Sequence, residues 1–165
     1  MQEFLIEFIE NLPYEVKLLS VFIISMIPII ELRLAIPVGV AVGISPAVAI
    51  PIAVIGNLIP VPFIILFIKK IFAWMRKISP KLNGVVDKME AKAEKNKARV
   101  LKYAFWGLAL FVAIPLPGTG AWTGALVAAM LDMPLKKAFP SVLIGVVGAG
   151  LLVAFVSYGA AALFF

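Results

Sequence analysis

Apolar residues occur along the chain in runs of different length, and the length of a run predicts how that segment meets a membrane. Thirteen uncharged residues separate Lys17 from Glu31. At 1.5 Å per residue they reach about 20 Å, short of a hydrocarbon core of about 30 Å. The next run, residues 34–44, is also of half length, whereas residues 47–68 are long enough to span. We therefore predict a re-entrant helical hairpin at about 18–44, followed by one transmembrane helix.

The same order of runs recurs in the second half of the chain. Residues 103–114 are half length, residues 115–120 form a break rich in proline and glycine, residues 121–131 are half length, and residues 138–158 can span. Three punctuating residues recur at offsets of 87, 88 and 89: Pro28 as Pro115, Pro46 as Pro134, and Gly56 as Gly145. Because each unit crosses the membrane once, we expect the second unit to be inverted relative to the first.

These units predict an all-α integral membrane protein, an inverted repeat in which each unit is a re-entrant helical hairpin followed by one transmembrane helix. Amphipathic surface helices complete the fold, because charged and apolar residues alternate at helical spacing at the chain start and in the linker between the units. The predicted single membrane domain, 1–165, has an interfacial helix at 1–13, the first unit at 16–68, a basic cytoplasmic linker at 69–102, and the second unit at 103–165 with its hairpin at about 103–131.

Basic residues indicate the orientation. Residues 69–102 hold 11 of the 15, and basic loops stay on the cytoplasmic side. With this linker inside and the second hairpin entering from the cytoplasm, Lys136 and Lys137 are inside as well, and the amino terminus is outside. An alternative with four complete spans and both ends in the cytoplasm places these two lysines outside and leaves Glu31 and Arg33 within a continuous helix. We favour the hairpins.

Composition indicates a lipid environment and excludes most chemistry. Of the 165 residues, 63% are hydrophobic, with a mean hydropathy of +1.09, and a soluble domain of this size has too little interior to hide them. There is no cysteine and no histidine, which excludes thiol nucleophiles, histidine bases and the metal sites that need either residue. We therefore expect no enzyme, no metal and no cofactor. Nucleic acid is not an expected partner, because most aromatic residues lie in the apolar runs and are not interleaved with the lysines.

Glu31 and Arg33 are the only charged residues between positions 20 and 62. A charge near the bilayer centre costs about 2.5–3.5 kcal/mol on insertion scales, so such residues usually serve a function. Burial of Glu31 favours its neutral form and hence proton exchange, whereas an ion pair with Arg33 would keep it ionised. We expect Glu31 to carry a coupling proton and Arg33 to bind a substrate phosphate. The alternative is an ion pair that only stabilises the hairpin.

Non-helical backbone at membrane depth needs protein or a water-filled cavity to satisfy it. Two hairpin tips entering from opposite sides would enclose such a cavity, and a helix N-terminus there offers N–H donors to an anion. The expected substrate-binding residues are Arg33, Asn57, Pro117, Gly118, Thr119, Gly120 and Thr123. Two alternatives remain open: residues 117–120 form only a tight turn, and Asn57 bonds a neighbouring helix.

Three segments carry a resemblance to a known family: residues 31–37 (ELRLAIP), the pair Gly56-Asn57, and residues 115–124 (PLPGTGAWTG). They are similar to the small multidrug export protein family, which is distantly similar to the DedA (SNARE-associated, VTT-domain) superfamily. The DedA resemblance implies paired re-entrant loops, dependence on the proton motive force, recycling of undecaprenyl phosphate, and a membrane-embedded acidic residue at Glu31. DedA proteins place arginines in the second hairpin. Residues 115–131 contain none, so Arg33 would have to supply the cation.

The sequence leaves three functions open. The first is a proton-motive-force-linked transporter that translocates a polyprenyl-phosphate lipid carrier or a similar amphipathic anion. The second is an exporter of small lipophilic cations attracted by Glu31, and the third is a non-transporting membrane assembly factor whose basic helix recruits a partner or anionic lipid. The resemblance implies a prokaryotic plasma membrane, with membrane lipids, undecaprenyl phosphate among them, as partners. Small residues at four-residue spacing in both spans would pack within one chain or form a homodimer.

Overall fold

The computed structural model describes residues 2–101, 104–116 and 118–164, and this part of the chain is helical with no strand. The helices are α1 (Gln2–Glu10), α2 (Tyr14–Met26), α3 (Glu31–Ala41), α4 (Pro46–Leu58), α5 (Pro60–Ile78), α6 (Pro80–Leu101), α7 (Ala104–Ala113), α8 (Ala121–Met130) and α9 (Leu135–Phe164). The predicted all-α fold is confirmed.

Two stretches, Pro46–Ile78 and Leu135–Ser157, are long and apolar enough to cross a membrane. Both expose large apolar side chains on their outer surfaces: Phe63, Leu66, Phe67, Leu143, Ile144, Leu151 and Phe155. Such a surface is unfavourable in water and suits contact with lipid. The short helix α8 is instead buried from Thr123 to Ala129, and α3 is also mostly buried, so these two helices form the centre. The short helices α2 and α7 expose apolar side chains, Leu19 and Trp106 among them, as the long helices do.

The half-length runs form separate short helices. Helices α2 and α3 have 13 and 11 residues, and α7 and α8 have 10 each, so each reaches only about 15–20 Å. Two breaks separate them. We call residues 27–30 the first loop and residues 114–120 the second loop; within the latter, Pro117 lies outside the described residues.

Only Ile59 separates α4 from α5, and it keeps helical angles (φ −56°, ψ −47°). The span predicted to end at residue 68 therefore continues as helix to Ile78. At its start, the Lys17 ammonium of α2 donates to the Val42 carbonyl, at 3.0 Å. About 35 Å further along, Lys69 pairs with Asp132 of the α8–α9 turn, at 2.6 Å. The outer ends of α2 and α3 thus lie at one end of the long helix, and the α8–α9 turn lies towards the other.

Helix α6 folds back along α5 after a corner at Ser79. Close to the corner, Arg76 of α5 pairs with Asp87 and Glu90 of α6, at 2.7 and 2.8 Å. The apolar face of α6 is packed against the protein through Val86 and Ala93, while lysines of the opposite face are exposed. The basic segment is therefore a packed part of the molecule.

Each unit packs its long helix against its first short helix through a glycine. A Cβ at Gly56 of α4 would lie 2.6 Å from the Phe22 carbonyl oxygen of α2. A Cβ at Gly145 of α9 would likewise lie 2.6 Å from the Ala109 carbonyl oxygen of α7. Ser141, on the same face of α9, donates to the Phe105 carbonyl of α7. The small-residue face of the second span is therefore used within one chain.

The turns that follow α3 and α8 have the same hydrogen bonds at an offset of 89 residues. Each helix ends in a Schellman motif, with positive φ at Gly43 (89°) and Asp132 (52°). The defining bonds correspond: Ile44 N–H to Gly39 C=O with Met133 N–H to Ala128 C=O, and Gly43 N–H to Val40 C=O with Asp132 N–H to Ala129 C=O. In this register Pro134 corresponds to Ser45, so the sequence alignment of Pro46 with Pro134 is wrong by one residue.

The two loops keep the same offset. Positive φ angles occur at Ile29 (76°) and Glu31 (51°) in one unit, and at Gly118 (92°) and Gly120 (118°) in the other. These positions are 89 residues apart. Before the loops, the contact of Gly56 with Phe22 and that of Gly145 with Ala109 put α2 and α7 at an offset of 87, which is the offset of Pro28 and Pro115. The two units thus share one constant register from the loop to the long helix.

Candidate functional site

The two loops lie against each other. The indole N–H of Trp122, in the first turn of α8, donates to the Met26 carbonyl at the end of α2, at 3.0 Å. From the other side, Arg33 of α3 donates to the Leu116 and Thr119 carbonyls, at 3.0 and 2.7 Å. The two breaks in the apolar runs therefore lie together, and side chains of each unit bind backbone carbonyls of the other.

Glu31 is buried at the start of α3, with only 4% of its surface exposed. Its Oε1 accepts the backbone N–H of Trp122 at 3.1 Å, and a second backbone bond comes from Ala121. A carboxylate at a helix N-terminus satisfies N–H groups that have no partner within the helix and interacts favourably with the helix dipole. Glu31 thus occupies the N-terminus of α8, where the sequence had suggested that a substrate anion would bind.

Gly120 is the residue that makes room for this carboxylate. A Cβ at position 120 would collide with Glu31 Oε2, and the φ of 118° is one that side chains rarely adopt. Both requirements are met only by glycine. Gly120 therefore belongs to the site through close approach to Glu31.

Arg33 binds backbone carbonyls of the second loop. Its Nη2 lies 3.8 Å from Glu31 Oε2, so the two side chains form an ion pair. Its hydrogen bonds to the Leu116 and Thr119 carbonyls hold these two residues in place. Thr119 stabilises the same loop, because its hydroxyl accepts the Leu116 N–H at 3.1 Å and lies within hydrogen-bond distance of the Leu116 and Ile114 carbonyls. Arg33 and Thr119, which were both predicted to bind substrate, thus make structural contacts in the second loop.

A cavity of about 350 Å³ lies beside the joined loops. Its wall is mostly apolar and is built from the first loop, α5, α6 and α8: Pro28, Ile29, Ile64, Ile68, Met89, Trp122 and Leu126. Its polar groups are Glu31, Arg33, Lys92, Thr119 and Thr123. We call this space the main cavity; it combines a large apolar wall with a polar end that carries two cations and one carboxylate.

Lys92 is a residue of the site that the sequence reasoning missed. The basic segment appeared to be a surface helix with its lysines outward, but the return of α6 along α5 brings Met89 and Lys92 to the main cavity. One signal was available: Lys92 is next to the buried Ala93 and one turn from Met89, so it lies at the edge of the apolar face.

Asn57 of α4 lines a different cavity from the main one. It is 1% exposed, and its Oδ1 has no hydrogen-bond partner among the described residues. It lines a second, small cavity of about 10 Å³ together with Glu31, Leu32, Arg33, Val112, Pro115, Gly120, Ala121, Val146 and Ala149. Of the two interpretations that the sequence left open for Asn57, the cavity-lining one fits this position.

The predicted site residues are thus distributed over two adjoining cavities. Glu31 and Arg33 line both, Gly118, Thr119 and Thr123 line the main cavity, and Asn57 and Gly120 line the small one. Pro117 was also predicted to bind substrate and lies outside the described residues. Within the described residues there is no cluster of three or more acidic side chains that could hold a metal ion.

The apolar surface of the two long helices, with short helices and a polar site at the centre, defines an all-helical membrane protein. Residues 31–152 match the model of a family described as "Putative small multi-drug export protein". This match covers most of the chain, so the chain belongs to that family, whose description is that of a transporter. The resemblance to the small multidrug export protein family noted in the sequence is confirmed. No curated protein and no solved structure matches the chain.

Proposed function

We propose that this protein is a transporter, linked to the proton motive force, that moves an amphipathic anion past the two loops. The observation that carries the proposal is the main cavity, where a mostly apolar wall ends at Glu31, Arg33 and Lys92. An apolar wall suits an acyl or prenyl chain. With two cations against one carboxylate, the polar end favours an anionic head group.

The proposed topology has two re-entrant hairpins that enter from opposite membrane faces as an inverted repeat. It is supported by the position of the hairpin ends along α4–α5, with Val42 near its start and Asp132 beside Lys69. Because α6 begins beyond Lys69, the basic segment and the α8–α9 turn share one face. The positive-inside rule makes that face cytoplasmic, so the amino terminus is outside. A prokaryotic plasma membrane completes this topology.

The first candidate substrate is a polyprenyl phosphate such as undecaprenyl phosphate. The resemblance to the DedA superfamily suggests it, and the combination of a long apolar chain with a phosphate suits the main cavity. In this proposal Glu31 carries the proton, while Lys92 and the N–H groups of Arg33 not used by the second loop attract the phosphate. No catalytic residue, metal or cofactor is part of this function.

A second candidate function is the export of lipophilic cations. The description of the family favours it, as does a single buried carboxylate at the end of an apolar cavity. Arg33 cannot decide between the two candidates, since its replacement would also release the second loop. Lys92 is the probe we choose, because it lines the cavity from α6 and not from the helix that carries Glu31 and Arg33.

The test is transport by the full chain in proteoliposomes under an imposed proton gradient, with a fluorescent short-chain polyprenyl phosphate as the substrate. We expect Glu31→Gln to abolish transport while the protein stays folded, and Lys92→Gln to lower transport about tenfold, the effect of about 1.4 kcal/mol of lost attraction. Lys88→Gln is the matched control, because it removes the same charge from an exposed position on the same helix, and it should transport normally.

Other outcomes separate the candidates. If Lys92→Gln leaves anion transport intact and improves the uptake of a lipophilic cation, the cation exporter is the better function. If wild-type vesicles transport neither substrate and Glu31→Gln complements a cellular defect that a charge-depleted α6 does not, the assembly factor is the better function.

A further inference from the structure

Asn57 is a buried acceptor that lacks a donor. Its Oδ1 has no hydrogen-bond partner among the described residues, although only 1% of the residue is exposed. An amide oxygen left unpaired at such depth is unfavourable, and native proteins leave few of them. The position therefore suggests that a donor arrives in another state of the protein.

The small cavity identifies that donor. Most of its lining is apolar or backbone, and its side chains with charge or hydrogen-bonding capacity are Asn57, Glu31 and Arg33. Arg33 is directed to two carbonyls of the second loop. Glu31 is the group whose capacity changes, since a carboxylate only accepts and a carboxylic acid also donates. A volume of about 10 Å³ is at the lower limit for one water molecule, so the contact is direct or passes through one water.

We propose that Asn57 is the acceptor for the proton of Glu31, so that Glu31 alternates between two partners. Ionised Glu31 caps the N-terminus of α8, as in the present structure. Protonated Glu31 turns to the small cavity and donates to Asn57 Oδ1. This inference rests on the proposed function for its biological meaning, because the N–H groups that Glu31 leaves are then available to the anionic head group of the substrate.

The charges around Glu31 oppose its protonation, so an acceptor for the proton would help the neutral form to compete. Arg33 on α3 and Lys92 on α6 face it, as does the N-terminus of α8, and all three favour the ionised form. The remaining packed helices contribute no charge, because α4 presents Asn57, α7 presents Val112, and α9 presents Val146 and Ala149. Burial of the carboxyl works in the other direction, and a hydrogen bond that the neutral form donates adds to the effect of burial. The same positive surroundings disfavour a sodium ion in the small cavity.

Infrared difference spectra of the full chain in lipid, taken between acid and alkaline pH, test this assignment. The carbonyl band of protonated Glu31 is identified by its loss in Glu31→Gln. In Asn57→Leu, which keeps the shape and removes the acceptor, we expect this band to move to higher frequency. Its midpoint should move to lower pH by about one unit, because a neutral hydrogen bond that favoured the acid is lost. Ser141→Ala is the control, since it removes a buried hydroxyl of the other span and should leave the band in place.

A second measurement needs no substitution at position 57. In wild-type protein with carbon-13 in the asparagine amide, one buried amide band should shift when Glu31 is protonated, and this shift should be absent in Glu31→Gln. An unchanged Glu31 band in folded Asn57→Leu overturns the proposal, and so does an amide band that ignores pH. The infrared result does not depend on transport. If the protein transports but the bands do not move, only the proposed role of Asn57 is wrong. If the bands move but no transport is seen, only the proposed function is wrong.

Discussion

The first and second loops have positive φ angles at corresponding positions and opposite chemistry. At corresponding positions 89 residues apart, the first loop has Ile29 and Glu31 at positive φ, while the second has Gly118 and Gly120. One unit contributes the charged side chains, and the other contributes N–H groups, carbonyls and the space for a carboxylate. The same division continues deeper, where Asn57 and its counterpart Val146 line one small cavity from opposite spans.

Two units of similar fold form a single polar site here because only one of them carries the charged side chains. Two identical loops that each carried a carboxylate and a guanidinium would place like charges together at the contact, which is unfavourable at low dielectric. Charge in one unit and glycine in the other avoids this. The first loop accepts strained φ angles at Ile29 and Glu31 to present the carboxylate, and strain of this kind tends to occur at functional sites.

The largest expected effect comes from Gly120→Ala. The added Cβ would collide with the Glu31 carboxylate at a strained φ, so we expect a loss of about 3 kcal/mol or more in the free energy of unfolding, and no transport. Thermal unfolding in detergent and the vesicle assay measure the two.

Gly43→Ala is the matched control for Gly120→Ala. Its φ is 89°, but nothing lies within 4 Å of the added Cβ, so only the backbone cost of about 1–2 kcal/mol should appear. Equal losses in the two variants would show that the contact between Gly120 and Glu31 is not what the second loop needs glycine for.

A smaller effect is expected from Arg33→Lys. The guanidinium reaches two carbonyls of the second loop and pairs with Glu31, whereas an ammonium cannot reproduce this fork. We expect a loss of about 1–2 kcal/mol in unfolding free energy. The control is Arg76→Lys in the exposed α5–α6 ion pairs, which should cost clearly less, because exposed ion pairs contribute little to stability. A loss at Arg33 no larger than at Arg76 would mean that the carbonyl contacts do not hold the loops together.

The smallest effect is a gain, in Ile29→Gly. Ile29 is 82% exposed at a φ of 76°, and relief of this strain should raise the unfolding free energy by about 1 kcal/mol despite the greater flexibility of glycine. The control is Ile27→Gly at a φ of −73°, where glycine relieves nothing and the protein should become less stable. The comparison of the loops would fail if both variants lost stability equally.

The elements of the fold follow closely from the sequence. Uncharged run lengths located the short helices, and proline and glycine located both loops, since these are local effects of backbone geometry. The repeat was also detected, yet its offset was read as drifting from 87 to 89. The contacts of Gly56 and Gly145 give 87 for α2 and α7, and the hydrogen bonds at Gly43 and Asp132 give 89 after the loops, so only the offset of 88 at Pro134 is wrong, by one residue. Proline tolerates neighbouring positions at a helix start, so it marks a turn without fixing its register.

The sequence predicted most residues of the candidate site, but it did not predict which groups these residues contact. Glu31, Arg33 and Gly120 were all identified, because a charge in an apolar run and a glycine in a break are visible in sequence. Lys92 was missed. Its place depends on the corner at Ser79 that folds α6 back along α5, and nothing in a lysine-rich amphipathic helix specifies which protein surface it will cover.

Residue order is enough to predict an all-helical membrane protein in which a similar series of short and long apolar runs occurs twice. It also predicts a break in each series and a charged pair at the first break. Those features depend on residues close together in the chain and on the cost of charge in lipid. Packing of the two units is what makes Glu31 cap α8 and Arg33 bind the carbonyls of residues 116 and 119. It also buries Asn57, whose Oδ1 has no donor among the described residues. The caps and carbonyl contacts join groups more than 80 residues apart, and the Asn57 cavity is enclosed only once both units are packed.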